Sequence, residues 1–108
     1  MAHIKNTIIC TRPSISVDFP ELTDEFKAVC ADYYADSENA GKRCFLKREY
    51  NVSEDQLTRT IVEIYRDEDA RTDFLANSTI AAAINVRDKH CAGNDITLTE
   101  TLDTNWTP

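Results

Sequence analysis

The sequence predicts an α+β fold in which helices cover one face of a four-stranded antiparallel sheet. The first observation is the run LTRTIVEIYR at residues 57–66, which carries apolar side chains on both faces of a strand. Leu57, Ile61 and Tyr65 point one way, and Val62 and Ile64 the other, because strand side chains alternate. The other two observations are an amphipathic helix before this run and a broken helix after it. A two-faced strand of this kind is typical of the centre of a covered sheet.

A first strand is predicted near residues 6–12, where the β-branched run TIICT ends before Pro13. The segment PSISVDFPEL is expected to cross the protein as a loop and to lead into a helix. The apolar stripe of that helix recurs at helical spacing and comprises Leu22, Phe26, Val29, Cys30, Tyr33 and Tyr34. Thr23 is the expected N-cap, and the helix should end before Gly41.

The second strand is predicted near residues 43–52 and the third near 57–66. The turn formers SED between them predict an antiparallel hairpin that contains both Tyr50 and Thr58. Alternation along the second strand predicts one side with Cys44, Leu46, Tyr50 and Val52, and an opposite side with Phe45, Lys47 and Glu49.

Two helical pieces are predicted after the third strand. Asp67 or Asp69 should cap the first piece, which buries Phe74 and Leu75. Ser78 should cap the second piece, and Gly93 should end it. The inner face of this second piece is expected to carry Ile80, Ile84, Arg87 and Cys91.

A fourth strand is predicted near residues 95–102, with Ile96, Leu98 and Leu102 pointing inward. The order is then β, α, β, β, α, β. Since strand–helix–strand connections are right-handed, both helices fall on one face of the sheet, which is the ferredoxin-like arrangement. We expect residues 1–108 to form a single domain of this kind, with residues 103–108 as a C-terminal tail.

The helices leave the opposite face of the sheet open, and this predicts an interface. Val62 and Ile64 are the apolar residues expected there, and a second copy of the chain is the expected cover. Trp106 lies beyond the last predicted strand, where no core position accounts for it. Tryptophan is enriched in interface hot spots, so we predict that Trp106 contacts a neighbour.

The composition of the chain limits the kinds of partner that the protein is expected to bind. The net charge is −7, and the basic residues form no stripe, so neither nucleic acid nor an anionic membrane is expected as a partner. The N-terminus lacks an apolar signal segment, which favours a cytoplasmic location. The four cysteines form no CxxC pair and are expected to be buried free thiols.

No set of residues in the sequence predicts catalysis, a cofactor or a metal. His3 and His90 are far apart and have no companion ligands at metal-binding spacing. The acidic run from Asp67 to Asp73 fits the start of a helix and lacks the pattern of a calcium loop. Cys91 follows His90 directly, but consecutive helix positions do not face each other. With two glycines, the chain has no phosphate-binding loop.

The strand VEIYRDED followed by the broken helix ARTDFLANSTIAAAINV resembles the dimeric α+β barrel domains, a group that includes small antibiotic-biosynthesis monooxygenase-like proteins. The resemblance implies sheet-to-sheet dimers. It also implies an alternative function, a cofactor-free monooxygenase or isomerase. Its pocket would be lined by Tyr33, Tyr34, Tyr50 and Tyr65. An enclosed cavity of roughly 300 Å³ or more, lined by polar groups that converge on one point, would favour this alternative.

The segments TRPS and VDFPEL, at residues 11–14 and 17–22, resemble short acidic proteins of tailed marine phages. Combined with the open sheet face and the missing catalytic set, this resemblance leads to our main prediction. We expect a non-enzymatic structural or interaction protein, plausible as a tailed-phage virion component, that forms homo-oligomers and contacts other virion proteins.

Overall fold

The order and pairing of the strands confirm the predicted fold class. The computed structural model describes residues 3–33 and 45–108. Its elements are β1 (His3–Thr11), α1 (Asp24–Asp32), β2 (Phe45–Val52), β3 (Thr58–Tyr65), α2 (Glu68–Ala76), α3 (Ser78–Gly93) and β4 (Thr97–Trp106). The strands form one antiparallel sheet in the order β2-β3-β1-β4, the ferredoxin-like order, with helices on one face.

The predicted hairpin is present, because Tyr50 on β2 pairs with Ile61 on β3. Strand β1 begins at His3, earlier than predicted, and β4 continues to Trp106. Residues 103–106, which the sequence suggested as part of a tail, are therefore in the sheet, where Asp103 lies opposite Lys5 and Trp106 opposite His3. Helix α1 ends at Asp32, with Tyr33 as its C-cap. The predicted start of the second strand, with Cys44, lies outside the described residues, as do Tyr34 and Gly41.

The predicted side of Phe45 is wrong. A register shift between Phe45 and Lys47 interrupts the alternation at the start of β2. Phe45 consequently lies opposite Tyr65 and is fully buried under the helices, with 0% exposure. A bulge of this kind places an extra residue in one strand, and a simple period of two then assigns the residues before it to the wrong face.

Helix caps follow the predictions with one correction. Thr23 Oγ1 accepts a hydrogen bond from the backbone N–H of Phe26 at 3.1 Å, as an N-cap does. Asp67 caps α2 in the same way. The cap of α3 is Asn77 and not Ser78, because Asn77 Oδ1 accepts from the N–H groups of Thr79 and Ile80. Asn77 thereby both ends α2 and starts α3.

Asp67→Ala should lower the free energy of unfolding by about 1 kcal/mol at neutral pH, the usual cost of a lost N-cap. The bond from the Ala70 N–H lowers the pKa of Asp67. The stabilisation is therefore present above the unfolded-state pKa of roughly 3.9 and is lost as pH falls through the lower folded-state pKa. Urea unfolding at pH 7 and pH 2.5 checks this. Asp69→Ala is the control, and an equal loss in both variants, or a loss independent of pH, would contradict the cap.

The space between helices and sheet holds two buried clusters. The first joins Ile4 and Tyr65 of the sheet to Phe74 and Ile80 of the helices. The second consists of Cys10, Cys91 and Ile96. Ile4 and Cys10 of β1 thus belong to different clusters. Asn6 and Ile8, which lie between them on the same side of the sheet, line a cavity. Within the described residues, the helices are too short or too polar to cross a membrane.

Candidate functional site: a cavity between the helices and the sheet

A cavity of about 860 Å³ lies between the two buried clusters. Its floor is the helix-covered face of the sheet, including the cross-strand pair Ile8 and Ile61. Residues of α1, α2 and α3 form the other walls. One further wall is the strap, which we define as residues 12–23, the loop between β1 and α1. The size is that of a site for a small organic ligand.

Polar groups converge on the carboxylate of Glu63 in the floor. Arg48 Nε donates to Glu63 Oε2 at 2.8 Å. The Tyr65 hydroxyl donates to Glu63 Oε1 at 3.2 Å, and the amide of Asn6 lies 3.4 Å from the same oxygen. The same amide donates to Glu100 Oε2 at 3.1 Å. We call these residues, Asn6, Arg48, Glu63, Tyr65 and Glu100, the Glu63 cluster.

The central ion pair of the cluster is shielded from solvent. The side chains of Arg48 and Glu63 are only 4% and 5% exposed. Burial, together with the neighbouring charge of Glu63, raises the pKa of Tyr65, so the phenol stays protonated and keeps donating. The Arg48 guanidinium also lies over the rings of Phe26 and Tyr50, at 5.0 and 4.8 Å. Removing either partner of a buried ion pair leaves an uncompensated charge, which strongly destabilises the protein.

The strap is fixed by three contacts to its backbone carbonyl groups. Arg12 Nη1 donates to Val17 at 3.0 Å, Arg59 Nη1 to Pro20 at 2.9 Å, and His90 Nε2 lies 2.6 Å from the oxygen of Asp18. These contacts hold Phe19 and Pro20 against the cavity. The strap is thus a built wall of the cavity.

A second ion pair lies at the β4 side of the cavity. Arg87 Nη2 donates to Glu100 Oε1 at 2.9 Å and to Asp88 Oδ1 at 3.0 Å. Burial alone would lower the pKa of Arg87, but these two carboxylates outweigh it and raise the pKa. Arg87 therefore remains a cation that is already neutralised by its neighbours.

Known structures share this fold, whereas no protein family and no curated protein matches the sequence. SnoaB, a cofactor-independent oxygenase from Streptomyces nogalater, has 14% identity and a TM-score of 0.64, over 100% of this chain and 97% of that chain. A protein of Caulobacter crescentus CB15, provisionally named an antibiotic biosynthesis monooxygenase, has 15% identity and a TM-score of 0.54, over 98% and 92%. Another protein with that provisional name, from Nitrosomonas europaea, has 12% identity and a TM-score of 0.54, over 100% of this chain and 95% of that chain.

The chain has the ferredoxin-like fold of these oxygenase structures. At this level of identity the likeness shows the fold alone. It supports the resemblance to the antibiotic-biosynthesis monooxygenase-like domains and gives no support to the resemblance to phage proteins.

The predictions of a non-enzymatic protein and of a virion component are wrong. SnoaB, which shares this fold over the whole chain, is named a cofactor-independent oxygenase, and two further structures with the fold are provisionally named antibiotic biosynthesis monooxygenases. The cavity also exceeds the size that we set as the criterion for an enzyme, and polar groups converge in its floor. The sequence argument failed because it sought a catalytic motif along the chain, whereas this site is assembled across all four strands of the sheet.

The tyrosines predicted for a pocket do not act as a group. Tyr65 lines the cavity. Tyr33 packs edge-on against Phe74, with ring centroids 5.3 Å apart, and its hydroxyl accepts a bond from Asn77. Tyr50 is 43% exposed beside Arg48, and Tyr34 lies outside the described residues.

The other candidates for chemistry have structural contacts. His3 Nδ1 lies 2.9 Å from the backbone oxygen of Arg66, and His90 holds the strap. Burial raises the pKa of Cys91, which lies beside Cys10, and this favours the less nucleophilic thiol form. In the ranges 3–33 and 45–108, no three His, Cys, Asp or Glu side chains are grouped as metal ligands.

The predicted interface residues lie on the sheet face away from the helices. Val62 is half-buried opposite Thr7 and Glu49, and Ile64, opposite Lys5, is only 5% exposed within the single chain. Trp106 is half-buried, and its ring centroid lies 6.4 Å from that of His3. Their role in an interface stays a prediction.

Sequence reasoning missed Asn6, Arg48, Arg59 and Glu63. One signal was present for two of them. Side chains two residues apart on a strand lie on the same face, so Arg59 and Glu63 share a face with Ile61 and Tyr65. A strand that buries Ile61 and Tyr65 therefore also turns these two charges inward. Buried charges in a strand are rare unless they serve a site or a partner.

Proposed function

We propose that this protein is a cofactor-independent monooxygenase for apolar organic substrates. The observation that carries the proposal is the Glu63 cluster, a buried, hydrogen-bonded carboxylate and guanidinium in the wall of a cavity of about 860 Å³. SnoaB, a cofactor-independent oxygenase with the same fold, supports the proposal. Apolar side chains such as Ile8, Ile61 and Phe26 line much of the remaining wall and fit an apolar substrate body.

An oxygenation without a redox cofactor takes its electrons from the substrate. An activated methylene group loses a proton, and the resulting carbanion reduces dioxygen and binds it as a peroxide. Protonation of the peroxide and loss of water leave a carbonyl group. One methylene group and one dioxygen molecule therefore give one carbonyl group and one water. The protein has to provide a base and a dry cavity with compensating charge.

Glu63 is the group that accepts the proton in this proposal. Its carboxylate lines the cavity and is the most buried carboxylate of the Glu63 cluster. Arg48 and Tyr65 hold one oxygen each, which fixes the orientation of the carboxylate. Asn6 donates one amide hydrogen to Glu63 and the other to Glu100, which holds the two carboxylates in place relative to each other.

Dioxygen uptake tests the proposal. The purified protein is incubated with anthrone or anthrone-2-carboxylate, two compounds with an acidic methylene group, without added flavin or metal. We expect uptake above the spontaneous rate, with one dioxygen consumed for each anthraquinone formed. Spontaneous rates with both compounds would contradict the proposed function.

We also propose that the active form is a homodimer that pairs the sheet faces opposite the helices. The supporting observations are the half-buried Val62 in the middle of that face and the neighbouring apolar Ile9, which lies opposite Thr60. A specific dimer would bury roughly 1,200–2,000 Å² in total.

Val62→Asp should dissociate this dimer, because a carboxylate buried without a partner at the interface costs several kcal/mol. Light scattering should show the parent at twice the chain mass of 12.3 kDa and the variant at the chain mass. Ile15→Asp is the control, since Ile15 is an apolar residue that is 67% exposed on the strap. Equal masses for parent and Val62→Asp would refute pairing through this face.

A further inference from the structure

Arg59 is a buried cation with no acidic partner. It projects from β3 into the cavity wall and is 7% exposed. Its Nη1 donates to the Pro20 carbonyl at 2.9 Å, while its Nε, on the opposite edge of the guanidinium, has no hydrogen-bond partner. Within the described ranges, no carboxylate forms an ion pair with Arg59. The ring of Phe19 lies 5.2 Å from the guanidinium.

This arrangement differs from that of the other arginines of the cavity. Arg48 is neutralised by Glu63, and Arg87 by Glu100 and Asp88. Arg71, whose Nε also lacks a hydrogen-bond partner, forms an ion pair with Glu68 at 3.7 Å. Burying a charge without a counter-charge is strongly unfavourable. Burial lowers the pKa of Arg59, but a guanidinium keeps its charge in proteins. The thiol of Cys10 also contacts the guanidinium, and a thiol is only a weak acceptor. The strap end of the cavity therefore holds an unmet positive charge.

The geometry of the floor relates this charge to the Glu63 cluster. Arg59 and Glu63 lie on the same face of β3, four residues apart, which corresponds to roughly 13 Å along a strand. Ile61 lies between them and pairs with Ile8 across the strands. The floor is thus a cation at one end, an apolar strip in the middle and a carboxylate cluster at the other end.

A guanidinium edge of this type matches a carboxylate, because two parallel N–H groups can bond its two oxygens. We propose that the substrate carries a carboxylate that Arg59 binds at the strap end, while its apolar body lies over Ile8 and Ile61 toward Glu63. This proposal names the substrate class of the proposed oxygenase and rests on that function. The carboxylate supplies the missing counter-charge, and the length of the strip favours a body of about two to three fused rings.

Binding of two fluorescent probes tests the proposal without any turnover. The probes are 2-anthracenecarboxylate and its neutral amide, 2-anthracenecarboxamide, titrated into the full-length protein. We expect the acid to bind about 10-fold or more tightly than the amide, the gain typical of a charge-assisted hydrogen bond. Arg59→Met should remove this preference, and Arg59→Lys should keep part of it, because lysine retains the charge but not the fork.

Lys27→Met is the matched control, since Lys27 is an exposed cation of α1 outside the cavity wall. It removes the same charge and should leave the preference for the acid unchanged. Thermal unfolding establishes that each variant is folded. If Arg59→Met does not fold, the comparison of Arg59→Lys with the parent carries the test.

Equal affinity of the parent for acid and amide, including weak binding of both, would overturn the proposal. So would a preference for the acid that survives unchanged in Arg59→Met or Arg59→Lys. The result is separable from the proposed function. A preference for the acid without dioxygen uptake refutes the oxygenase and leaves the carboxylate subsite standing. Dioxygen uptake with no preference for the acid refutes the subsite alone.

Discussion

Glu63→Gln should lower the rate of substrate oxidation by about 10²–10⁴-fold, the usual contribution of a positioned general base. Glutamine has nearly the same shape and can still accept the hydrogen bond from Arg48, but it does not take up a proton. The carboxylate is 5% exposed, so bulk water does not replace it readily as the base. The measurement is the initial rate of dioxygen uptake, made well below the unfolding temperature of the variant.

Two control variants separate the role of the base from the loss of a charge. Glu100→Gln also removes a carboxylate of the cavity, but that side chain is 41% exposed and paired with Arg87. Its rate should stay within about 10-fold of the parent. Glu54→Gln changes an exposed carboxylate in the turn between β2 and β3, outside the cavity wall, and should have no effect. A Glu63→Gln rate close to that of Glu54→Gln would show that Glu63 is not the base.

Arg48→Met should lower the free energy of unfolding by about 3–5 kcal/mol, because it leaves the buried Glu63 carboxylate without its counter-ion. This is a large part of the ~5–15 kcal/mol that stabilises a typical domain. Methionine keeps much of the apolar contact that the Arg48 side chain makes with Phe26 and Phe45. The loss should therefore report the charge and not the volume. Urea unfolding followed by circular dichroism measures it.

The double variant Arg48→Met with Glu63→Gln tests the physical reason. Removing both charges should restore part of the stability, since a neutral pair carries no unpaired buried ion. A loss below about 1 kcal/mol in Arg48→Met, the size expected of a surface ion pair, would contradict the buried pair. A double variant as unstable as the sum of the two single variants would contradict the coupling between them.

Much of the fold could be predicted because short stretches of the sequence determine it. The period-two run at Ile61 to Tyr65, the cap at Thr23 and the turn before Thr58 are each set by neighbouring residues, and right-handed connections then fix the sheet order. The side of Phe45 was predicted wrongly because a bulge is a property of the strand pair. Asn77 displaced Ser78 as the cap because one residue serves two helix ends: its backbone N–H bonds the Phe74 carbonyl at the end of α2, and its side chain caps α3.

The site could be predicted only in part, because strand register creates it. Asn6 and Arg48 flank Glu63 since β1 and β2 pair with β3 on either side at that level. The spacing of Asn6, Arg48 and Glu63 along the chain does not predict that they lie next to each other. Alternation along the strand predicts that Arg59 and Glu63 point inward. An inward charge alone, however, does not distinguish a functional site from a structural ion pair. The cavity itself depends on how far the helices stand from the sheet.

The most direct test of the proposed oxygenase is a reaction under ¹⁸O₂ with anthrone-2-carboxylate, followed by mass spectrometry of the product. The proposed chemistry places one atom of the dioxygen in the new carbonyl group and the other in water. We therefore predict that the enzyme-formed anthraquinone gains one ¹⁸O, that its rate exceeds the spontaneous rate, and that Glu63→Gln removes the excess. An enzyme-dependent product without ¹⁸O, or labelled product formed at the same rate by parent and Glu63→Gln, would contradict oxygenation in this cavity.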